Sequence, residues 1–254
     1  MTAAKMMQAL TAPVEDYLKA IFEIELADAA STGDQSPVAG TNEIAQSLGI
    51  APASVTGMLH RLSEQGLISY ERYRGVRLSD AGRRAALRTI RRHRVIEAYL
   101  AKALGYPWDR VHEEAERLEH AASDELIDRM AAAIGEPTTD PHGAPIPTRD
   151  GTLDARPLLA LVDVDVGDVV RIRQVGDRDP ERLRYLAELG VTPGADVRVV
   201  ARAPFGGPIT LQIVREGTES SRAASAARRS VRESAIGPML AAQVFVETRR
   251  KREA

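Results

Sequence analysis

Apolar residues recur at helical spacing in the first half of the chain and gather into short β-branched runs in the second. "VEDYLKAIFEIEL" carries Val14, Leu18, Ile21, Phe22 and Ile24 at that spacing. "TNEIAQSLGI" opens on Thr41 or Asn42 as a cap and ends at Gly49. "APASVTGMLHRLSEQGLI" follows a short turn and ends near Gly66. "LISYERYRGVRLSDAG" alternates, turns at Arg74-Gly75 and reads as two short strands. Residues 11–80 are thus predicted as three helices and a hairpin.

Two or three further helices are predicted over residues 80–135. "DAGRRAALRTIRRHRVIEAYLAKAL" is long and breaks at Gly105 and Pro107. "DRVHEEAERLEHAASDELIDRMAAAI" runs from an Asp109 cap to Gly135. The next stretch, "GEPTTDPHGAPIPTRDG", has four prolines and three glycines and reads as a connection. From about Leu153, short β-branched strands take over: "DVVRIRQV", "DVRVVARA", "ITLQIV" and "AAQVFVE". With one helix at "PERLRYLAELG", they suggest a small barrel. "REGTESSRAASAARRSVRESA", residues 215–235, is polar and reads as an insertion within it.

Composition narrows the classes. The 254 residues suffice for one large domain or two to three small ones, and no run of about 18 apolar residues predicts a membrane span. "MTAAKMMQAL" lacks the long apolar core of a signal peptide. There is no cysteine, so any metal must be held by nitrogen and oxygen. These features fit a cytoplasmic protein. The net charge of −2 hides an asymmetry. Thr41 to Arg94 holds ten arginines against four acids, whereas His112 to Asp140 holds nine acids against two arginines. A basic block suggests a polyanion partner, and an acidic one suggests a cation.

In the basic block, a helix-turn-helix would bury Ile44, Ala45, Leu48, Val55, Leu59 and Leu62. It would leave Ala53, Ser54, Thr56, Gly57 and His60 towards solvent or DNA. The hairpin's Arg72, Arg74 and Arg77 would then meet phosphates. A plain helical bundle with a basic face is the alternative.

In the acidic block, "VHEEAERLEH" spends two of the chain's five histidines among four glutamates. At about 100° per residue, one helix would put His112, Glu116, Glu119 and His120 on one face. No compensating lysine or arginine lies at i+4 there. "RHRVIE" sets His93 and Glu97 four apart, and Asp16 on a third helix offers one more oxygen. Either histidine–acid pair alone is more often a surface contact. "HEEAE" lacks the second histidine of a zinc-protease motif, which argues against an enzyme.

Taken together, "VEDYL", the helix-turn-helix, "YERYRGVRLSDAG", "RHRVIE", "VHEEAERLEHAASDEL" and "DPHGAPIP" resemble the diphtheria toxin repressor family of metal-dependent transcription regulators. "LAELGVTPGADVRVVARAPFGGPITL" resembles the SH3-like domain of that family and of ferrous-iron transport protein A. The resemblance implies an α+β chain of three domains. These are a winged helix-turn-helix (1–80), a helical dimerisation and metal-binding domain with its linker (81–150), and a small SH3-like β-barrel (151–254). It also implies a primary metal site of Asp16, Glu116, Glu119 and His120. An ancillary site would use His93, Glu97 and His112, with Asp179, or less well Glu181, from the third domain.

Two departures from the family refine this. The iron-responsive branch has methionine and cysteine where this chain has Asp16 and Glu116, so the oxygens place it in the manganese-responsive branch. The two-domain manganese regulators have a glutamate where this chain has Lys19, which implies two separated sites rather than a close pair. The expected protein is a cytoplasmic, homodimeric, Mn²⁺-dependent repressor that binds a double-stranded operator of metal-homeostasis genes. Its dimer surface would lie at Leu126, Ile127, Met130 and Ile134, with ordinary core packing the alternative. The rival readings are an Fe²⁺ sensor, a metal-dependent hydrolase, and a metal-free winged-helix regulator of a small organic effector.

Overall fold

The structure is a computed structural model that describes residues 10–32, 37–71, 74–154, 156–176, 178–214 and 233–248. These residues form two compact units.

The first unit comprises Met1–Ile96, Glu116–Met130 and Ile146–Asp154. It holds α1 (Ala12–Thr32), α2 (Thr41–Leu48), α3 (Pro52–Glu64), β1 (Ile68–Glu71), β2 (Gly75–Leu78) and α4 (Asp80–Leu104) as far as Ile96. Leu18, Ile21, Phe22, Ile44, Val55, Leu59, Leu62, Val76 and Ile90 make one apolar core. The turn between α2 and α3 depends on Gly49 at φ +65, a conformation that costs other residues strain. Pro52 then starts α3, where its missing N–H is no loss. The cap of α2 is Gly40, not Thr41 or Asn42, because the Glu43 carboxylate accepts from the Gly40 N–H at 2.8 Å. Strands β1 and β2 pair antiparallel from Ile68–Leu78 to Glu71–Gly75. Glu25, buried on α1, accepts from the Leu78 N–H at 2.7 Å and pairs with Arg83 at 2.8 Å. It thereby fastens α1 to the end of the hairpin.

The predicted helix from Asp109 to Gly135 is two helices, α5 (Val111–Leu118) and α6 (Asp124–Ala133). Ser123 interrupts it. Its hydroxyl accepts from the Leu126 N–H at 3.2 Å, which caps α6 and starts a new helix axis. Glu119 and His120 therefore lie in a turn, not on a helical face with His112 and Glu116. The apolar stripe of α6 divides accordingly. Ile127 and Ile134 are buried, Met130 is half-buried, and Leu126 is exposed.

The second unit comprises Glu97–Ala115, Ala131–Pro145 and Ala155–Ala254. Its sheet contains β3 (Leu159–Ala160), β4 (Val169–Val175), β5 (Asp196–Arg202), β6 (Ile209–Val214), β7 (Glu233–Ile236) and β8 (Val244–Thr248). The strands lie in the order β3-β8-β4-β5-β6-β7, each pair antiparallel. Helices α7 (Pro180–Leu189) and α8 (Pro238–Ala241) complete it. Leu161, Ile172, Leu183, Leu186, Val197, Leu211 and Val246 are core, with Trp108 packed against them. The inserted stretch expected at 215–235 is shorter than predicted, because Glu233–Ile236 pairs with β6. Residues 215–232 lie outside the described residues. No helix among the described residues is long and apolar enough to cross a membrane.

Candidate metal centres and DNA interface

The first centre lies within the first unit, between α1 and the turn after α5. Ligand atoms of Asp16, Glu119 and His120 lie within 4.8 Å of one another. His120 Nε2 is 2.8 Å from Asp16 Oδ1 and 3.5 Å from Glu119 Oε1. His120 Nδ1 donates to Glu15 Oε2 at 2.7 Å, and Arg92 holds the other Glu15 oxygen at 3.2 Å. A carboxylate on Nδ1 fixes the ring so that Nε2 faces the oxygens, which is how metal-binding histidines are usually oriented. Sequence reasoning missed Glu15. Its signal was the pair of adjacent acids in "VEDYL", of which only Asp16 was assigned.

The electrostatics favour a cation here. Burial pushes the Asp16 carboxyl above its ordinary 3.8, and repulsion from Glu119 and Glu116 adds to this, while His120 opposes it. Burial works against charge on His120. The hydrogen bond to Glu15 and the charges of Asp16 and Glu119 outweigh it, so its pKa is raised above the ordinary 6.5. Both shifts favour keeping a proton among the carboxylates as pH rises. A divalent ion would replace that proton's charge and add one more.

The remaining predicted ligands of this region gather around Lys19. Its ammonium is 2.7 Å from Glu116 Oε1, 3.1 Å from both Glu119 oxygens and 3.2 Å from His93 Nδ1. Burial opposes the lysine's charge, but Glu119 and Glu116 more than offset this and push its pKa above the ordinary 10.5. His93 Nδ1 also lies 2.5 Å from Glu119 Oε2. Glu116 and His93 thus sit on the Lys19 side of Glu119, and Asp16 and His120 on the other. Sequence reasoning instead grouped Glu116 with Asp16.

The second centre lies within the second unit. Glu97, Asp140 and His142 are buried, with ligand atoms within 4.8 Å of one another. His142 Nε2 donates to the Trp108 carbonyl at 2.8 Å, so the neutral ring keeps its lone pair on Nδ1. That Nδ1 makes no hydrogen bond and faces Glu97 Oε1 at 3.8 Å. A buried nitrogen with a fixed lone pair beside carboxylates suits a divalent cation. His112 Nδ1 lies 3.3 Å from Glu97 Oε1 and extends the donor set. Asp140 and His142 were missed as ligands. Their signal was an acid and a histidine two apart in "DPHG", a stretch that helped carry the family resemblance but was given no ligand role. Asp179 has a different place. It caps α7, accepting from the Glu181 and Arg182 N–H groups at 3.0 and 3.3 Å, and pairs with Arg182. The "DP" at a helix start is a capping signal, and it competes with ligation.

The surface of α3 follows the predicted pattern. Val55, Leu59 and Leu62 are buried, and Ala53, Ser54, Thr56, Gly57 and His60 are exposed. Arg74 and Arg77 are exposed on the hairpin, Arg74 pairing with Glu71 at 3.1 Å, and Arg72 lies outside the described residues. An exposed arginine beside one exposed acid is readily available to a phosphate. Arg74→Ala should weaken binding to every DNA sequence by a similar factor and reduce the salt slope by about one. An unchanged slope and affinity in a salt titration would show that the hairpin tip does not touch DNA.

Known proteins share these features. Residues 9–76 match the family described as "Iron dependent repressor, N-terminal DNA binding domain". Residues 79–148 match "Iron dependent repressor, metal binding and dimerisation domain", and 159–248 match "FeoA domain". The chain is 30% identical over 220 residues to the iron-dependent repressor IdeR of Mycobacterium tuberculosis, covering 82% of this chain and 91% of that one. A manganese-dependent transcriptional repressor in complex with manganese superposes with a TM-score of 0.77 at 36% identity, over 92% of this chain and 99% of that one. ScaR with bound Zn²⁺ gives 0.73 at 27%, over 92% and 99%. With a helix-turn-helix, clustered oxygen and nitrogen donors and an SH3-like sheet in one polypeptide, this chain belongs to the diphtheria toxin repressor family of metal-dependent, non-enzymatic DNA-binding repressors.

Proposed function

We propose that the protein is a cytoplasmic, homodimeric repressor activated by Mn²⁺ and acting on operators of metal-homeostasis genes. The observation that carries this is the donor set of the first centre: two carboxylates and one imidazole, in a chain without cysteine. Hard oxygens suit Mn²⁺ better than a thiolate or thioether site would. Asp16, Glu119 and His120 would hold the ion, with Glu116 adjacent. Glu97, Asp140, His142 and His112 would hold a second one. A divalent ion held there would supply positive charge between Asp16 of α1 and Glu119 and His120 of the turn after α5. Because α1 also carries Glu25, bonded to Leu78, the hairpin and α3 are biased towards one arrangement. The Fe²⁺ reading is supported by the names of the 30% identical relative and of the two matching iron dependent repressor families.

A DNA mobility shift with EDTA, Mn²⁺, anaerobic Fe²⁺ and Zn²⁺ in parallel tests the assignment. Retardation by Fe²⁺ but not Mn²⁺ would transfer it to iron. The raised pKa of His120 adds a pH dependence. The ion needs the unprotonated ring, so Mn²⁺ affinity should rise with pH beyond the ordinary 6.5 and level off only once His120 has lost its proton. A flat Mn²⁺ titration profile from about pH 6.5 to 8 would remove His120 from the ligands.

A further inference from the structure

Lys19 occupies a place that resembles a coordination site more than an ordinary ion pair. Four donor atoms from three residues converge on its nitrogen at 2.7 to 3.2 Å. An ammonium has only three N–H groups to share among them. The same three residues, His93, Glu116 and Glu119, also bring ligand atoms within 4.8 Å of one another. Glu119 is fully buried and shared by both positions. Oε1 lies near His120 Nε2, while Oε2 lies near His93 Nδ1. The arrangement is that of a carboxylate bridging two cation positions, one of them filled by a side chain.

We propose that the Lys19 ammonium is the permanent second cation of this cluster, so that the first unit takes up one divalent ion beside it. Removing the charge would open a His93–Glu116–Glu119 position for a second ion. This rests on the reading of Asp16, Glu119 and His120 as a metal site. A tethered charge is always present, independent of ion concentration. It neutralises part of the acidic cluster, and it repels any divalent ion approaching the His93 side. The metal response then depends on filling one position rather than on the joint occupancy of two.

The test counts ions bound to the full-length protein. Mn²⁺ equilibrium dialysis and low-temperature electron paramagnetic resonance are run on the parent, Lys19→Arg, Lys19→Gln and Lys19→Glu. The parent and Lys19→Arg should bind equal numbers of ions and show no exchange-coupled manganese pair. Lys19→Gln and Lys19→Glu should each gain one ion per chain, with the coupled-pair spectrum. If Lys19→Glu is unfolded by circular dichroism, Lys19→Gln carries the count. An exchange-coupled pair in the parent overturns the proposal, as does a gain by Lys19→Arg or no gain by a folded neutral variant. His120→Ala separates the two readings. If it loses no ion relative to the parent, the first metal site itself is wrong. If it loses one while folded Lys19→Gln gains none, only the role of Lys19 fails.

Discussion

Glu119→Ala is expected to abolish metal-activated operator binding and to destabilise the metal-free protein by about 3 kcal/mol. Glu119 is fully buried and meets four groups: Lys19, His93, His120 and, through charge, Asp16. Its removal takes a ligand from the first centre and leaves a mostly buried ammonium with less compensation. Breaking such a pair costs more than the pair contributes, because the remaining charge stays out of water. His120→Ala is the informative comparison. It too should lose activation, but it leaves no buried cation behind, so urea unfolding should show a smaller loss. Retained Mn²⁺-dependent retardation in either variant would sink the ligand assignment. Equal stabilities would mean that Lys19 does not depend on Glu119.

Gly143→Ala should destabilise the second unit by about 3 kcal/mol and empty its metal site. Gly143 has φ +90, and an added Cβ would lie 1.8 Å from the Arg173 carbonyl oxygen on β4. The flanking chain has no slack. The His142 carbonyl accepts from the Val175 N–H at 2.9 Å, and Asp140 accepts from the His142 and Ala144 N–H groups. Relief must therefore come from displacing the turn that presents Asp140 and His142. Gly151→Ala is the control: φ is +82, but nothing lies within 4 Å. It reports backbone strain alone, of order 1 kcal/mol. Equal thermal shifts in the two variants would show that the close approach to Arg173 is unimportant.

Much of the fold was legible because periodicity reports burial directly. Of the helix-turn-helix apolar positions, Ile44, Ala45, Val55, Leu59 and Leu62 are buried and Leu48 is partly so, and all four β-branched stretches of the second half hold strands. The break before α6 was hidden for a local reason. "ERLEHAASDEL" contains no proline or glycine, and the residue that divides it, Ser123, does so through a hydrogen bond that many serines never make. That break decides the site, because it turns Glu119 and His120 towards α1. The grouping of ligands was less legible. Spacing puts His93 and Glu97 on one face of a helix but says nothing of what stands opposite each. Lys19 was recognised as incompatible with ligation. That it would collect His93, Glu116 and Glu119 needed coordinates. Asp140 and His142 lie in irregular chain, where no period marks the inward side. Strand β7 was missed because it begins inside a polar stretch, with only Ile236 fully apolar and buried.

Helix α1 carries Asp16 in its second turn and Glu25 nine residues later, about 14 Å along the axis at 1.5 Å per residue. A stiff rod with a fixed point at each end acts as a lever. A tilt of about 4° about the Asp16 end sweeps Glu25 through about 1 Å. The 2.7 Å bond from Leu78 to Glu25 tolerates little of that, so β2 must either follow the helix or let go. With an ion held at Asp16, the buried carboxylate at the far end would convert an adjustment in ligand distance, small enough to pass unnoticed at the ion, into a shift of the strand that carries Arg77.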